Sequence, residues 1–200
     1  MDSVASEALN DQIDDASGRL DHRGVSRQSA AMENQSISIR RAALEDISQI
    51  ADVHAASWLH AYRGIIPGRE LERMVRHRSG RWWKAAIQRG GGLLVVDFDD
   101  VVVGYVSFGR CRDASARYTG EIFELYLMPE FQGLGFGRRL FRGAQAYLAS
   151  RGFPTLIVWA LSDNHTATDF YTSLGGKPVK TANEYFGTTM CERIAFKFEG

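Results

Sequence analysis

The sequence predicts a mixed α/β fold of the α+β kind: a largely antiparallel central sheet of six to seven strands flanked by about four helices. Three observations lead there. Several short stretches alternate apolar and polar residues or are continuously apolar, as strands do. Longer stretches repeat their apolar residues at helical spacing and end at glycine or proline. The resulting order, β-α-α-β-β-β-α-β-α-β-β, contains consecutive strands joined by turns too short for a helical crossover, so they must pair antiparallel.

Each element has its own signal. Ile37 and Ile39 alternate with Ser36, Ser38 and Arg40, giving a short half-buried strand. Ile47, Ile50, Ala51, His54, Trp58 and Tyr62 recur at helical spacing, predicting a helix over 44–60 that Gly64, Pro67 and Gly68 end. A second helical stretch covers 69–89 and stops at Gly90-Gly91-Gly92. Strand-like runs follow at 92–97, 101–109 and 119–128, the first two joined by the acidic turn Asp97–Asp100 and the third closed by Pro129. A glycine-rich loop opens a helix over 135–151 with Leu140, Phe141, Ala144 and Leu148 inward. Residues 155–160 form a continuous apolar strand, and 164–174 a helix stopped by Gly175-Gly176. Residues 178–198 close the chain as a hairpin turning near Gly187.

Composition divides the 200 residues unequally. The chain carries 24 basic and 24 acidic residues, but residues 1–35 hold 3 Arg against 7 acids, so −4, which leaves +4 for the remainder. Residues 1–35 also lack Phe, Trp and Tyr and cannot bury enough apolar area to offset the entropy of ordering. They are expected to be a disordered acidic tail, with one domain over 36–200. No apolar run reaches the roughly 18–20 residues that span a bilayer, and the first thirty residues have no secretory h-region. Zero net charge argues against nucleic acid or a membrane surface as partner. Cys111 and Cys191 have no metal-ligand spacing, nor do His54, His60, His77 and His165, so reduced thiols, no metal and the cytoplasm are expected.

The informative segment is Gln132-Gly-Leu-Gly135-Phe-Gly137-Arg138-Arg139, set between a strand and a helix. Glycines let the backbone close on a ligand without a Cβ in the way. A helix start supplies unpaired N–H groups and the positive end of the dipole. The alternative is a tightly packed connection with no ligand. A Walker A loop would need Gly-Lys-Ser/Thr, which is missing. The dinucleotide fingerprint G-x-G-x-x-G finds Arg138 or Leu140 where its third glycine belongs.

What the loop does match is Q-x-x-G-x-G, and its surroundings resemble the GNAT superfamily of N-acetyltransferases. Glu121, Ile122, Leu125, Tyr126, Leu127, Pro129 and Gln132 resemble the family's E-I-x-x-L-Y-V-x-P-x-x-Q strand. Asn164, Ala167, Phe170, Tyr171 and Gly175 resemble its N-x-x-A-x-x-F-Y-x-x-x-G helix. Ile39-Arg40 with Asp46, and Ser57-Trp58 through Tyr62-Arg63-Gly64, look like the first strand and helix of many bacterial members. The resemblance covers about 37–198. Gly176 stands where Phe is usual, the first helix lacks a Ser/Thr cap, and the tail has no counterpart.

The resemblance implies an acetyl-CoA-dependent N-acetyltransferase working by direct amine attack through a tetrahedral intermediate. Backbone amides of Gln132, Gly133, Leu134, Gly135, Phe136, Gly137 and Arg138 would cradle the pyrophosphate. Leu125, Tyr126 and Leu127 would offer a strand edge to the pantetheine arm, with an amide near Leu127 on the oxyanion. Asn164 would hold the same arm or cap its helix, or both. Tyr171 is the candidate acid for the departing thiolate; otherwise it is a core tyrosine beside Phe170. Glu121 is the favoured base and Glu124 its competitor; strand period sends the two to opposite faces. Trp58 and Tyr62 would wall the acceptor site, although core packing also accounts for two aromatics on one helical face. The acceptor is a small-molecule amine or a protein N-terminal or lysine amine. The C-terminal strands offer an edge for a homodimer. A non-catalytic acyl-CoA-binding module on the same fold is the alternative function.

Overall fold

The structure, a computed structural model, describes residues 36–89, 92–113 and 118–199. The expected tail, residues 1–35, lies outside them. The Ile37/Ile39 alternation forms β1 (Ile37–Arg41), and one 3-10 turn at Leu44–Asp46 leads into helix α1 (Ile47–Tyr62). In place of a Ser/Thr cap, Asp46 accepts the Ala43 N–H at 2.7 Å and holds Arg40 at 2.7 and 2.9 Å. Arg40 also reaches Asp97 at 2.8 Å, so one guanidinium ties two strands to the start of α1.

The helical stretch expected over 69–89 is two helices, α2 (Gly68–His77) and α3 (Gly80–Gln88), which makes five α-helices among the described residues where about four are expected. Arg78 leaves helical geometry at φ −83°, ψ 55°, and Ser79 is extended at φ −69°, ψ 167°. Serine and glycine are weak helix formers in succession, and the chain turns a corner on them. Of the adjacent tryptophans on α3, Trp83 is fully buried and Trp82 half-buried.

The remaining elements are β2 (Gly92–Phe98), β3 (Val101–Arg110), β4 (Gly120–Leu127), α4 (Phe136–Ser150), β5 (Thr155–Leu161), α5 (His165–Ser173), β6 (Lys177–Phe186) and β7 (Thr189–Glu199). Seven strands run in the order β1-β2-β3-β4-β5-β7-β6, all pairs antiparallel except β4 with β5. Asp99 and Asp100 turn β2 into β3 with φ of 50° and 64°, the left-handed pair that a tight hairpin requires. Leu140, Phe141, Ala144 and Leu148 of α4 do face inward, packing with Leu94, Val106, Phe108 and Ile122 on one side of the sheet. Ile50, Val53 and Trp83 of α1 and α3 meet Val95, Val102 and Tyr105 on the other. A third cluster, Ile66, Leu71, Leu161, Phe186 and Cys191, joins the chain around α2 to the β6–β7 hairpin. Both cysteines are free thiols, but only Cys191 is buried. Among the described residues no helix is long and apolar enough to cross a membrane.

Two irregularities position the functional site. First, β4 and β5 pair only at Gly120–Leu156, Glu121–Ile157 and Ile122–Val158, after which the two strands diverge. Second, Ile122 opposes Phe108 while Glu124 opposes Ser107, so Phe123 is an extra residue in β4. Such a bulge resets the two-residue period. Glu121 and Glu124 oppose Gly109 and Ser107, which share one face of β3 with Tyr105. The two carboxylates therefore lie on the same face, not on opposite faces as strand period alone required.

Candidate active site

Where β4 leaves β5, its backbone edge is exposed to a gap. Met128 N–H donates to Val103 O at 2.8 Å, so by strand alternation the N–H groups of Leu125 and Leu127 point away from β3, into the gap. The Leu127 carbonyl accepts from Ser57 Oγ at 2.7 Å and from Gln132 Nε2 at 3.4 Å, which fixes the end of the strand. A cavity of about 550 Å³ occupies the gap. Leu125, Tyr126 and Leu127 form one wall, Gln132, Gly133, Gly135, Gly137 and Arg138 the mouth, and Asn164 and Tyr171 the opposite wall.

The mouth is a helix start preceded by a nest. Gly133 and Gly135 adopt φ of 78° and 86°, a left-handed conformation that side chains disfavour. The first bond within α4 runs from Arg139 N–H to Gly135 O at 3.2 Å. The N–H groups of Phe136, Gly137 and Arg138 precede that bond and belong to the unsatisfied first turn. With Arg138 beside them they form a donor set suited to an anion such as a pyrophosphate. Two expected loop residues do not line the cavity. Leu134 is 57% exposed, and the Phe136 side chain, 5% exposed, turns into the core against Phe98 and Phe131. An apolar ring at the first turn of an amphipathic helix goes to the core, so Phe136 has only its amide to offer.

Asn164 caps α5, its Oδ1 accepting the Ala167 N–H at 3.1 Å, and the residue also lines the cavity. Tyr171 also reaches the cavity although it packs among Phe141, Phe170 and Phe196. Burial, helped by nearby Tyr62, pushes its phenol above the ordinary tyrosine range, so it stays protonated at neutral pH.

Glu121 does not line this cavity. Its carboxylate accepts from Arg112, through the backbone N–H at 2.9 Å, Nε at 3.1 Å and Nη2 at 2.5 Å. Glu124 does not line it either, but its charge acts on Tyr126 of the cavity wall. Arg78 Nη2 donates to Glu124 at 2.5 Å and the Tyr105 hydroxyl at 3.2 Å. Burial pushes its carboxyl above the usual range, while Arg78 and Tyr105 pull it back. Tyr105 spends its proton on Glu124, so its oxygen takes the His54 Nδ1–H at 2.8 Å. His54 Nε2 is then a bare nitrogen, buried with no partner among the described residues. Burial and nearby Arg78 lower the His54 pKa to about 3, so the ring is neutral.

The hydroxyls of Tyr62 and Tyr126 meet at 2.8 Å, and both phenols are raised, chiefly by burial and further by the Glu124 charge. Tyr126 lines the cavity; Tyr62 and Trp58 stand behind it, their rings 5.1 Å apart and the Trp58 ring 6.0 Å from Tyr126. Neither Trp58 nor Tyr62 lines this cavity. Sequence reasoning missed Arg78, Arg112, Tyr105 and the bond from Ser57. An arginine at a helix corner carries no local signal of the strand residue it will meet.

A model of the acetyltransferase (GNAT) family matches residues 55–175. The chain belongs to that family. It is 33% identical over 150 residues to the uncharacterized N-acetyltransferase YuaI of Bacillus subtilis, covering 75% of this chain and 84% of that one. It is 24% identical to the spermidine N(1)-acetyltransferase of Thermoplasma acidophilum, covering 76% and 94% of the two chains. The crystal structure of PaiA N-acetyltransferase from Thermoplasma acidophilum in complex with coenzyme A has the same fold. Its TM-score is 0.66 at 22% identity, over 79% of this chain and 98% of that one. The acetyltransferase therefore has a GNAT fold around the gap between β4 and β5.

Proposed function

We propose that this acetyltransferase moves the acetyl group of acetyl-CoA onto a primary amine by direct attack through a tetrahedral intermediate. The observation that carries the proposal is a single cavity lined by the free edge of β4, the glycine-loop donors and Tyr171. The donor set fits the ligand: a nest of N–H groups for the pyrophosphate and an extended edge for the amide-bearing arm. A coenzyme A complex of a protein with the same fold gives further support.

Residue roles follow from position. The amides of Phe136, Gly137 and Arg138, with the loop from Gln132, would hold the pyrophosphate. Leu125 and Leu127 would pair with the pantetheine arm, and Leu127 N–H would face the oxyanion. The amine nitrogen adds to the thioester carbon and, as the C–S bond breaks, the Tyr171 proton goes to the thiolate sulfur. The amine gives up its own proton to Glu124, directly or through water, and Tyr171 is reprotonated from solvent. We assign the base to Glu124 over Glu121 because Arg112 engages the latter carboxylate through three bonds.

The test is thiol release with acetyl-CoA and an amine panel, beside calorimetric titration of acetyl-CoA. Binding with turnover of at least one amine is expected. Binding without release from any amine would favour the non-catalytic module, and absence of binding would remove both.

A further inference from the structure

Resting on the acetyl-transfer function proposed above, we infer that the acceptor is a zwitterion, an amine of the free amino-acid type whose carboxylate is taken by Arg78. Arg78 sits at the corner between α2 and α3 and reaches Glu124 across 46 positions of sequence. Its guanidinium lies over the Trp82 ring, 3.7 Å from the centroid, which fixes its plane. The Glu124 contact is made through Nη2, and the side chain is 26% exposed. A guanidinium carries five donors in a rigid fork, and among the described residues a single side-chain hydrogen bond, to Glu124, engages this one.

Charge balance on this face decides what can bind. Glu124 is paired with Arg78 at 2.5 Å, Glu121 with Arg112 at 2.5 Å and Glu184 with Arg193 at 2.7 Å. Glu121 and Glu124 share a face of β4, and Glu184 adds to the field on Tyr62. Each has its own arginine, and the buried His54 is neutral. An acceptor carrying only positive charge would displace Arg78 from Glu124 and leave that guanidinium without an anion. A polyamine would bring a second positive charge to the same place. A zwitterion exchanges two for two: its ammonium takes Glu124 and its carboxylate takes Arg78, so every charge withdrawn from water stays paired.

The test compares L-amino acids, the matching amino acid amides and an aliphatic diamine as acceptors in the thiol-release assay. Amides keep the side chain and lose the anionic group; because their amine is also less basic, kcat/KM is compared per free amine. Wild-type kcat/KM is expected to be roughly tenfold or more higher for an acid than for its amide, the worth of one charge-assisted hydrogen bond. Arg78→Gln is expected to bring that ratio close to one, and Arg78→Lys to keep part of it. Because the wild-type ratio needs no variant, misfolding of a substituted protein cannot hide the outcome. Amides or the diamine matching the acids would overturn the inference and leave acetyl transfer standing, as would a ratio that survives in Arg78→Gln. Release from no amine while acetyl-CoA still binds would overturn acetyl transfer itself, and the acceptor with it.

Discussion

Glu124→Gln separates the two candidate bases by a margin that the structure sets. A placed general base contributes about 10²- to 10⁴-fold to rate, and glutamine keeps the shape of glutamate without its basicity. Stability should change far less. Removing one partner of a fully buried ion pair costs about 3–5 kcal/mol, but Arg78 is partly exposed and glutamine still accepts from Arg78 and Tyr105. Folding also gains something from the substitution. Burial holds the Glu124 carboxyl above its unfolded value, so its contribution to stability is lost as pH rises through the folded value. The net expectation is a loss of about 1–2 kcal/mol near neutral pH. Urea unfolding measures that, and thiol release gives kcat/KM. The wild-type rate should rise with pH along a limb lying above the ordinary glutamate value of about 4.3, and this limb should vanish in Glu124→Gln. Glu121→Gln should leave kcat/KM within about threefold, below the smallest general-base effect. Near wild-type turnover in Glu124→Gln beside a collapse in Glu121→Gln would refute the assignment.

Three further outcomes follow. Tyr171→Phe should lower kcat by about 10²-fold or more while calorimetry finds acetyl-CoA affinity nearly intact; unchanged kcat would remove the acid. Gly135→Ala meets nothing within 4 Å, so its effect is backbone strain at φ 86° alone. It should cost about 1 kcal/mol in urea and weaken acetyl-CoA binding, because the amides of Phe136 to Arg138 swing with it. A Cβ on Gly176 would lie 2.6 Å from Phe198 Cζ and 2.7 Å from the Tyr171 carbonyl oxygen. Gly176→Ala should therefore lose about 1–3 kcal/mol by overpacking, and wild-type stability there would contradict the packing.

That same contact explains the one departure in the family's second motif. The chain carries Gly176 where Phe is usual because Phe198 and the Tyr171 backbone already fill the space. Much else was legible in advance. The Q-x-x-G-x-G loop, the strand before it and the Asn164-to-Gly175 helix are local features, since backbone chemistry there depends on residues a few positions apart. The strand edges fell within one or two residues because glycine, proline and the Asp97–Asp100 turn punctuate them. What escaped was set by contacts distant in sequence. The bulge at Phe123 is a matter of register with β3, and no period within β4 announces it. Once it is present, Glu121 and Glu124 share a face, and Arg112 and Arg78 divide them. The break at Arg78–Ser79 was hidden because both halves of 69–89 are helical in pattern. By sequence Phe136 belongs with its loop neighbours, whereas its ring follows the α4 core stripe.

The gap between β4 and β5 as the donor site is open to a direct measurement: amide hydrogen exchange with and without saturating acetyl-CoA. Exchange should slow at Leu125 and Leu127, whose N–H groups point into the gap, and at Phe136, Gly137 and Arg138 in the first turn of α4. Amides of the β6 edge, on the far side of β7 from β5, should be unaffected. Saturation by acetyl-CoA without slowing at these five positions, or with protection concentrated on β6, would contradict the account.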